Sequence, residues 1–155
     1  MLVESYLALV DQAYNRQSWH GTNLRGSLRG VTPKQAAWRP ARGRHNIWEE
    51  VVHAAYWKYV VRRRLTNETR ASFPLEGSNW FARPDTADQA AWKKDIALLE
   101  ASHRALREVV ADLSEASLKP ARGGKRNGKA WLVAGIAAHD LYHAGQIQLL
   151  KRLQR

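Results

Sequence analysis

Trp92, Ile96, Leu99, His103, Leu106, Val110 and Leu113 follow one another at alternating steps of four and three, the spacing that draws a continuous seam along one side of a helix. A seam that long has to be covered. Three further stretches can cover it. From Leu2 to Trp19 the positions Leu2, Tyr6, Leu9, Val10, Ala13 and Tyr14 recur at helical spacing. Asn46, with Glu49 three residues on, resembles a capping box that opens a second long helix, through Val51, Ala54 and Val61 to about Leu65. A last helix runs from about Gly128 to Leu153, and no strand pattern or internal repeat interrupts the series. The chain is therefore predicted to be all-α, a four-helix bundle in which each apolar stripe is buried against the others.

The connections are uneven. Gly21, Gly26 and Gly30 break the first pattern, and Thr32-Pro33 places a capping hydroxyl before a proline, predicting one short turn through Ala37 that Trp38-Arg39-Pro40 ends. Between Thr66 and Asp85 the chain carries Pro74, Gly77 and Pro84 without periodicity, and a third helix starts near Thr86. A connection this long inside a compact domain is functional or an ordered crossover, and it can span enough distance that the helices it joins need not be antiparallel neighbours. Long crossover loops are thus expected, Gly123-Gly124 marking the linker into the last helix.

The 155 residues suit one domain, residues 1–155, and 45% hydrophobic content is enough to fill its core. The absence of cysteine excludes disulfides, thiolate-bound zinc, iron–sulfur clusters and a thiol nucleophile belonging to the protein. No basic leader precedes an apolar run, and no uncharged stretch approaches the roughly 18 residues of a membrane span. A cytoplasmic chain without a membrane partner is expected. The formal charge of +11 invites an anionic partner. Its carriers are Arg39, Arg42 and Arg44 in one loop, Arg62, Arg63 and Arg64 at a helix end, and Lys119, Arg122, Lys125, Arg126 and Lys129 in a linker. Solvated loops account for most of these.

The last helix carries the chemistry. Wound at about 100° per residue, it sets Leu132, Ile136, His139, His143, Gln146, Ile147, Leu150 and Leu153 on one face and Asp140, Ala144, Gln148, Lys151 and Arg152 on the other. Asp140 therefore reads as a surface or interhelical contact. His139 and His143, one turn apart, aim two imidazoles at one point, as helical metal sites do. Six scattered histidines produce about 0.2 such pairs by chance, but two imidazoles buried together for no purpose would lack partners and repel when protonated. A third ligand comes from another helix. His53, flanked by Val52 and Ala54, and His103, in the middle of the third-helix seam, are the rivals. His20 and His45 lie in loops.

His139-Asp-Leu-Tyr-His143-Ala-Gly145-Gln146-Ile147, followed by Leu149-Leu150-Lys151-Arg152, resembles the C-terminal helix signature of the DinB-like metal-binding four-helix-bundle proteins. Trp19-His20-Gly21, Ala37-Trp38-Arg39-Pro40 and Arg44-His45-Asn46-Ile47-Trp48-Glu49 through His53 resemble the first half of one branch of that family, so the likeness covers nearly the whole chain. The resemblance implies a DinB-like bundle, commonly a homodimer, with a three-histidine divalent-metal site on His53, His139 and His143. It also implies kinship with metal-dependent transferases and isomerases that use a low-molecular-weight thiol.

Three imidazoles leave a coordination position open, the arrangement of catalytic rather than structural sites. Zinc or nickel there would activate a water or an imported thiol. Around the ligands, Glu49 stands one turn before His53, Tyr142 and Gln146 share the last helix with the histidine pair, and Trp48, Trp57 and Trp131 offer walls for an apolar pocket. Packing explains Tyr142 and helix capping explains Glu49 equally well. Two functions follow: a metal-dependent transferase or hydrolase acting on a small-molecule substrate, or a non-catalytic basic module for nucleic acid or another anionic partner.

Overall fold

The computed structural model describes residues 2–119 and 128–155. Among the described residues there are seven helices and no strand: α1 (Leu2–Tyr14), α2 (Leu24–Ser27), α3 (Pro33–Ala37), α4 (Ile47–Thr66), α5 (Gln89–Ala111), α6 (Glu115–Leu118) and α7 (Lys129–Leu153). The four long helices form the expected bundle, α1 and α4 each packing against both α5 and α7. The linker residues Arg122, Gly123, Gly124, Lys125 and Arg126 lie outside the described residues.

Side-chain pairs fix the directions. Arg107 reaches back to Asp11 and His103 stacks on Tyr14, so α1 and α5 are antiparallel. Trp48 bonds Asp95 near the start of α4, while Val61 and Leu65 join Leu106 and Val110 in one cluster near its end. Consequently α4 and α5 run parallel. Lys58 pairs with Asp140, and Val61 and Leu65 meet Leu132 and Val133, which makes α7 antiparallel to α4. Two parallel neighbours need a connection that travels the length of the bundle. Residues 67–88 are that connection, an ordered crossover pinned where Arg83 donates two bonds, 2.9 and 2.6 Å, to buried Asp95.

Helix ends follow local chemistry. Asn46 Oδ1 accepts from Glu49 N at 2.8 Å and Glu49 Oε2 accepts from Asn46 N at 3.3 Å, a reciprocal capping box. Thr32 and Gln35 build another before α3. The first helix stops at Tyr14 rather than Trp19, because Asn15 and Arg16 both turn back to Asp11 O and Asn23 fastens Arg16 O at 2.8 Å. Trp19 is fully exposed. On the other side of the crossover, the Asp88 side chain caps Ala91 N, so α5 begins at Gln89 instead of near Thr86.

The core is two apolar clusters with a polar layer between them. One gathers Trp48, Val51, Val52, Leu99 and Ile147, the other Val10, Val61, Leu106, Val110 and Ile136. Burying each leucine or isoleucine stabilises by about 1.5–3 kcal/mol. At the levels between them, α4 contributes Lys58, α5 His103 and α7 Asp140, all buried. The two-faced reading of the last helix is corrected here: Asp140 and Ala144 are buried and Leu153 is exposed. Since α7 packs against α1, α2 and α4, its buried surface wraps farther round than a single stripe.

Candidate metal centre

One turn of α7 carries His139 and His143, and antiparallel packing brings His53 of α4 opposite them. His139 Nε2 lies 3.2 Å from His53 Nε2 and 3.0 Å from His143 Nε2. Ligating nitrogens of all three residues fall within 4.8 Å of one another. Zinc–imidazole bonds of about 2.0–2.1 Å put neighbouring nitrogens about 3–3.4 Å apart, so the spacing fits a shared divalent ion.

The outer nitrogens settle which atoms are free to bind. His53 Nδ1 donates to Asn79 O at 2.8 Å, and His143 Nδ1 donates to Glu50 Oε2. In a neutral ring that bond leaves the lone pair on Nε2, so at least two lone pairs converge with His139 Nε2 between them. His139 Nε2 can donate its proton to these lone pairs or, deprotonated there, join them as a third donor around a cation. Burial favours neutral His53 and His139, as metal ligation requires: it pushes His53 down to about 4 and His139 down to about 3, the neighbouring imidazoles adding to the effect.

The crossover closes over this centre. Trp80 stacks on His53 at 3.8 Å between ring centroids and on His45 at 3.5 Å, while Asn79 Oδ1 accepts from Trp57 Nε1 at 3.0 Å. Trp57 thereby stands edge-on to His53, 6.3 Å away, and 6.2 Å from His139. His45, placed in a loop by sequence, sits at the rim with its Nδ1 3.0 Å from Glu49 Oε2.

Several site expectations change. Glu49 caps α4 and binds the Arg39 guanidinium at 2.7 and 2.9 Å, with no hydrogen bond to His53. Glu50 is the carboxylate that orients a ring, because the next position round the helix faces α7. His103 takes no part in the imidazole cluster: it stacks on Tyr14 at 3.6 Å in the polar layer. Tyr142 is 64% exposed, its ring edge-on to His143 at 5.1 Å, and Gln146 is half-buried without a bond to the imidazoles. Trp48 belongs to the core, donating to Asp95 at 2.6 Å. Trp57 and Trp131 do line an apolar cleft, with His139. His20 stays exposed.

Glu50, Asn79 and Trp80 are the site residues that sequence reasoning missed. The only signal for the last two was the length of the crossover, which marks a segment as functional without saying which residue does what. A sequence model described as the DinB superfamily matches residues 16–147 of the chain. No curated protein and no solved structure matches it.

Proposed function

The chain belongs to the DinB superfamily, and from that premise we propose that it is a metal-dependent enzyme acting on a small electrophilic molecule, as a thiol-dependent transferase or as a hydrolase. His53, His139 and His143 hold the divalent ion, zinc or nickel in this reading. The observation that carries it is the convergence of imidazole nitrogens whose opposite edges are tied to Asn79 O and Glu50. When bound, the ion supplies a Lewis acid that lowers the pKa of a water or thiol.

The protein's own residues do the rest. Glu50 and Asn79 hold two rings in the ligating tautomer, Trp80 and Trp57 wall the centre from bulk water, and the half-buried His139 marks its accessible side. With no cysteine in the chain, a thiol nucleophile must arrive as a low-molecular-weight co-substrate. No helix among the described residues is long and apolar enough to cross a membrane, and we place the reaction in the cytoplasm.

A second copy of the chain is the partner we propose for the outer face of α7, where Tyr142, Leu149 and Leu153 are each more than half exposed on one stripe. Open space surrounds Gly145 between them, room for a close approach. Binding of nucleic acid rests on the charge of +11 and the basic linker at residues 119–129, and Arg39 is already committed to Glu49.

Metal titration tests the main reading. Chelator-treated protein should take up one equivalent of zinc or nickel, and His139→Ala should lose that uptake while keeping the helical circular-dichroism spectrum. Uptake unchanged by the substitution would remove the proposed centre.

A further inference from the structure

Beside the imidazole cluster, α4 and α7 leave a cleft of about 180 Å³ whose walls are Trp57, Val61, Trp131 and Ile136, with His139 and Arg64 as its polar members. Among the described residues nothing acidic lines it. Arg64 differs from its two neighbours. Arg62 pairs with Glu68 at 2.6 Å and Arg63 donates to Glu68 O and Tyr59, whereas Arg64 makes no ion pair among the described residues and lies 6.0 Å over the Trp57 ring. One indole is thus flanked by an uncommitted guanidinium and, 6.2 Å away, by a candidate metal ligand.

We propose that this cleft binds a small monoanion, a carboxylate on a ring-sized apolar body, with the body stacked along Trp57, the charge on Arg64 and the reacting end against His139. The inference rests on the metal-centre reading for the last of these contacts only. Size argues for one ring, since an apolar cavity of about 150 Å³ holds benzene. Charge argues for an anion, since among the described residues the single ionised lining residue is a cation and planar guanidinium matches carboxylate. An amine would bring a second positive charge to that rim, and a dianion would leave one charge unmatched against an apolar wall.

Gly135 provides a clean probe. It lines the cleft, and a Cβ built on it meets nothing within 4 Å, so a side chain there has room at its first carbon and narrows the cleft. Phenylacetate, benzyl alcohol and benzylamine are titrated into the full-length protein, metal-free and zinc-loaded, while the indole N–H signals of assigned tryptophans are followed by NMR. Phenylacetate should shift Trp57 and Trp131 and leave core Trp48 in place, binding about tenfold more tightly than benzyl alcohol, with benzylamine weakest. Arg64→Gln should erase the preference for phenylacetate over the alcohol. Gly135→Val should weaken both about tenfold or more while zinc uptake and helicity persist.

Equal binding of the three probes, no shift at Trp57 and Trp131, shifts that follow protein concentration instead of ligand, or indifference to Gly135→Val would each overturn the proposal. The two readings fail separately. Zinc uptake without charge-selective probe binding removes the cleft and keeps the metal centre; probe binding without zinc uptake removes the metal centre and keeps the cleft.

Discussion

Glu50 Oε2 accepts the Nδ1 hydrogen of His143 across the α4–α7 interface, tying the imidazole of one helix to the carboxylate of another. Carboxylates in this position fix the tautomer of a ligating histidine and raise its basicity. Glu50→Gln should therefore lower zinc affinity by about 10- to 100-fold while the bundle stays folded. Competition with a chromophoric chelator measures it. An affinity within twofold of the unmodified protein would show that packing alone orients His143.

Lys58 and Asp140 are buried to within 1% of complete exclusion from solvent and bonded to each other. Burial drives the lysine pKa down and the aspartate pKa up, and each partner opposes the shift in the other. Removing one charge strands the other, so Lys58→Met should destabilise by about 3–5 kcal/mol. Lys58→Met combined with Asp140→Leu should recover most of that loss, as well-packed apolar pairs do in place of buried ion pairs. Urea unfolding of the two single variants and the double variant reads the coupling; purely additive effects would sink it.

That pair also shows where a single chain of letters stops being informative. The four long helices and the His139–His143 turn are written in local spacing, and the Asn46–Glu49 box is both predicted and present. Asp140 reads as lying off the metal-site face because a helical wheel assumes one buried side, whereas α7 is covered by several neighbours. Glu49 and Glu50 are indistinguishable by type, and only the packing of α4 on α7 decides which one meets a histidine. Asn79 and Trp80 stand in an aperiodic segment, so their arrival over His53 is tertiary information throughout.

His103 should make the metal-free protein acid-sensitive. Burial first, then the positive charge of Lys58, pushes its pKa down to about 3; Asp11 opposes the shift and Arg107 adds to it. Between the ordinary value of 6.5 and about 3 the unfolded chain binds a proton that the folded ring refuses, so stability is full above that window and falls as pH drops through it. At pH 5 the loss is about 2 kcal/mol. His103→Phe keeps a ring on Tyr14 and should remove this part of the slope. His53 and His139, which burial also pushes down, are present in both proteins, so their share cancels in the comparison. Unfolding curves at pH 8 and pH 5 give the difference, and parallel pH dependence would refute it.

Leu149→Glu should convert the proposed dimer to monomer. The substitution places a charge in the middle of an α7 stripe that also exposes Tyr142 and Leu153, and a desolvated, unpaired carboxylate opposes association. Sedimentation should show the unmodified protein as a dimer at micromolar concentration and the variant as a monomer with unchanged helicity. A monomeric unmodified protein would leave that face without its proposed partner.

Asn79 presents its carbonyl to His53 Nδ1 from a left-handed backbone, φ +64°. Glycine adopts that conformation without strain and keeps the carbonyl, losing only the 3.0 Å side-chain bond to Trp57. Valine keeps the carbonyl too, but its branched Cβ disfavours positive φ by about 1–2 kcal/mol and pulls the backbone toward the extended region. Zinc affinity should therefore stay within about threefold in Asn79→Gly and drop about tenfold in Asn79→Val, the conversion of that strain into binding. Isothermal titration of both variants separates the carbonyl's placement from the side chain's contact with Trp57. A loss in the glycine variant as large as in the valine variant would assign the effect to the side chain and overturn the role given to the backbone.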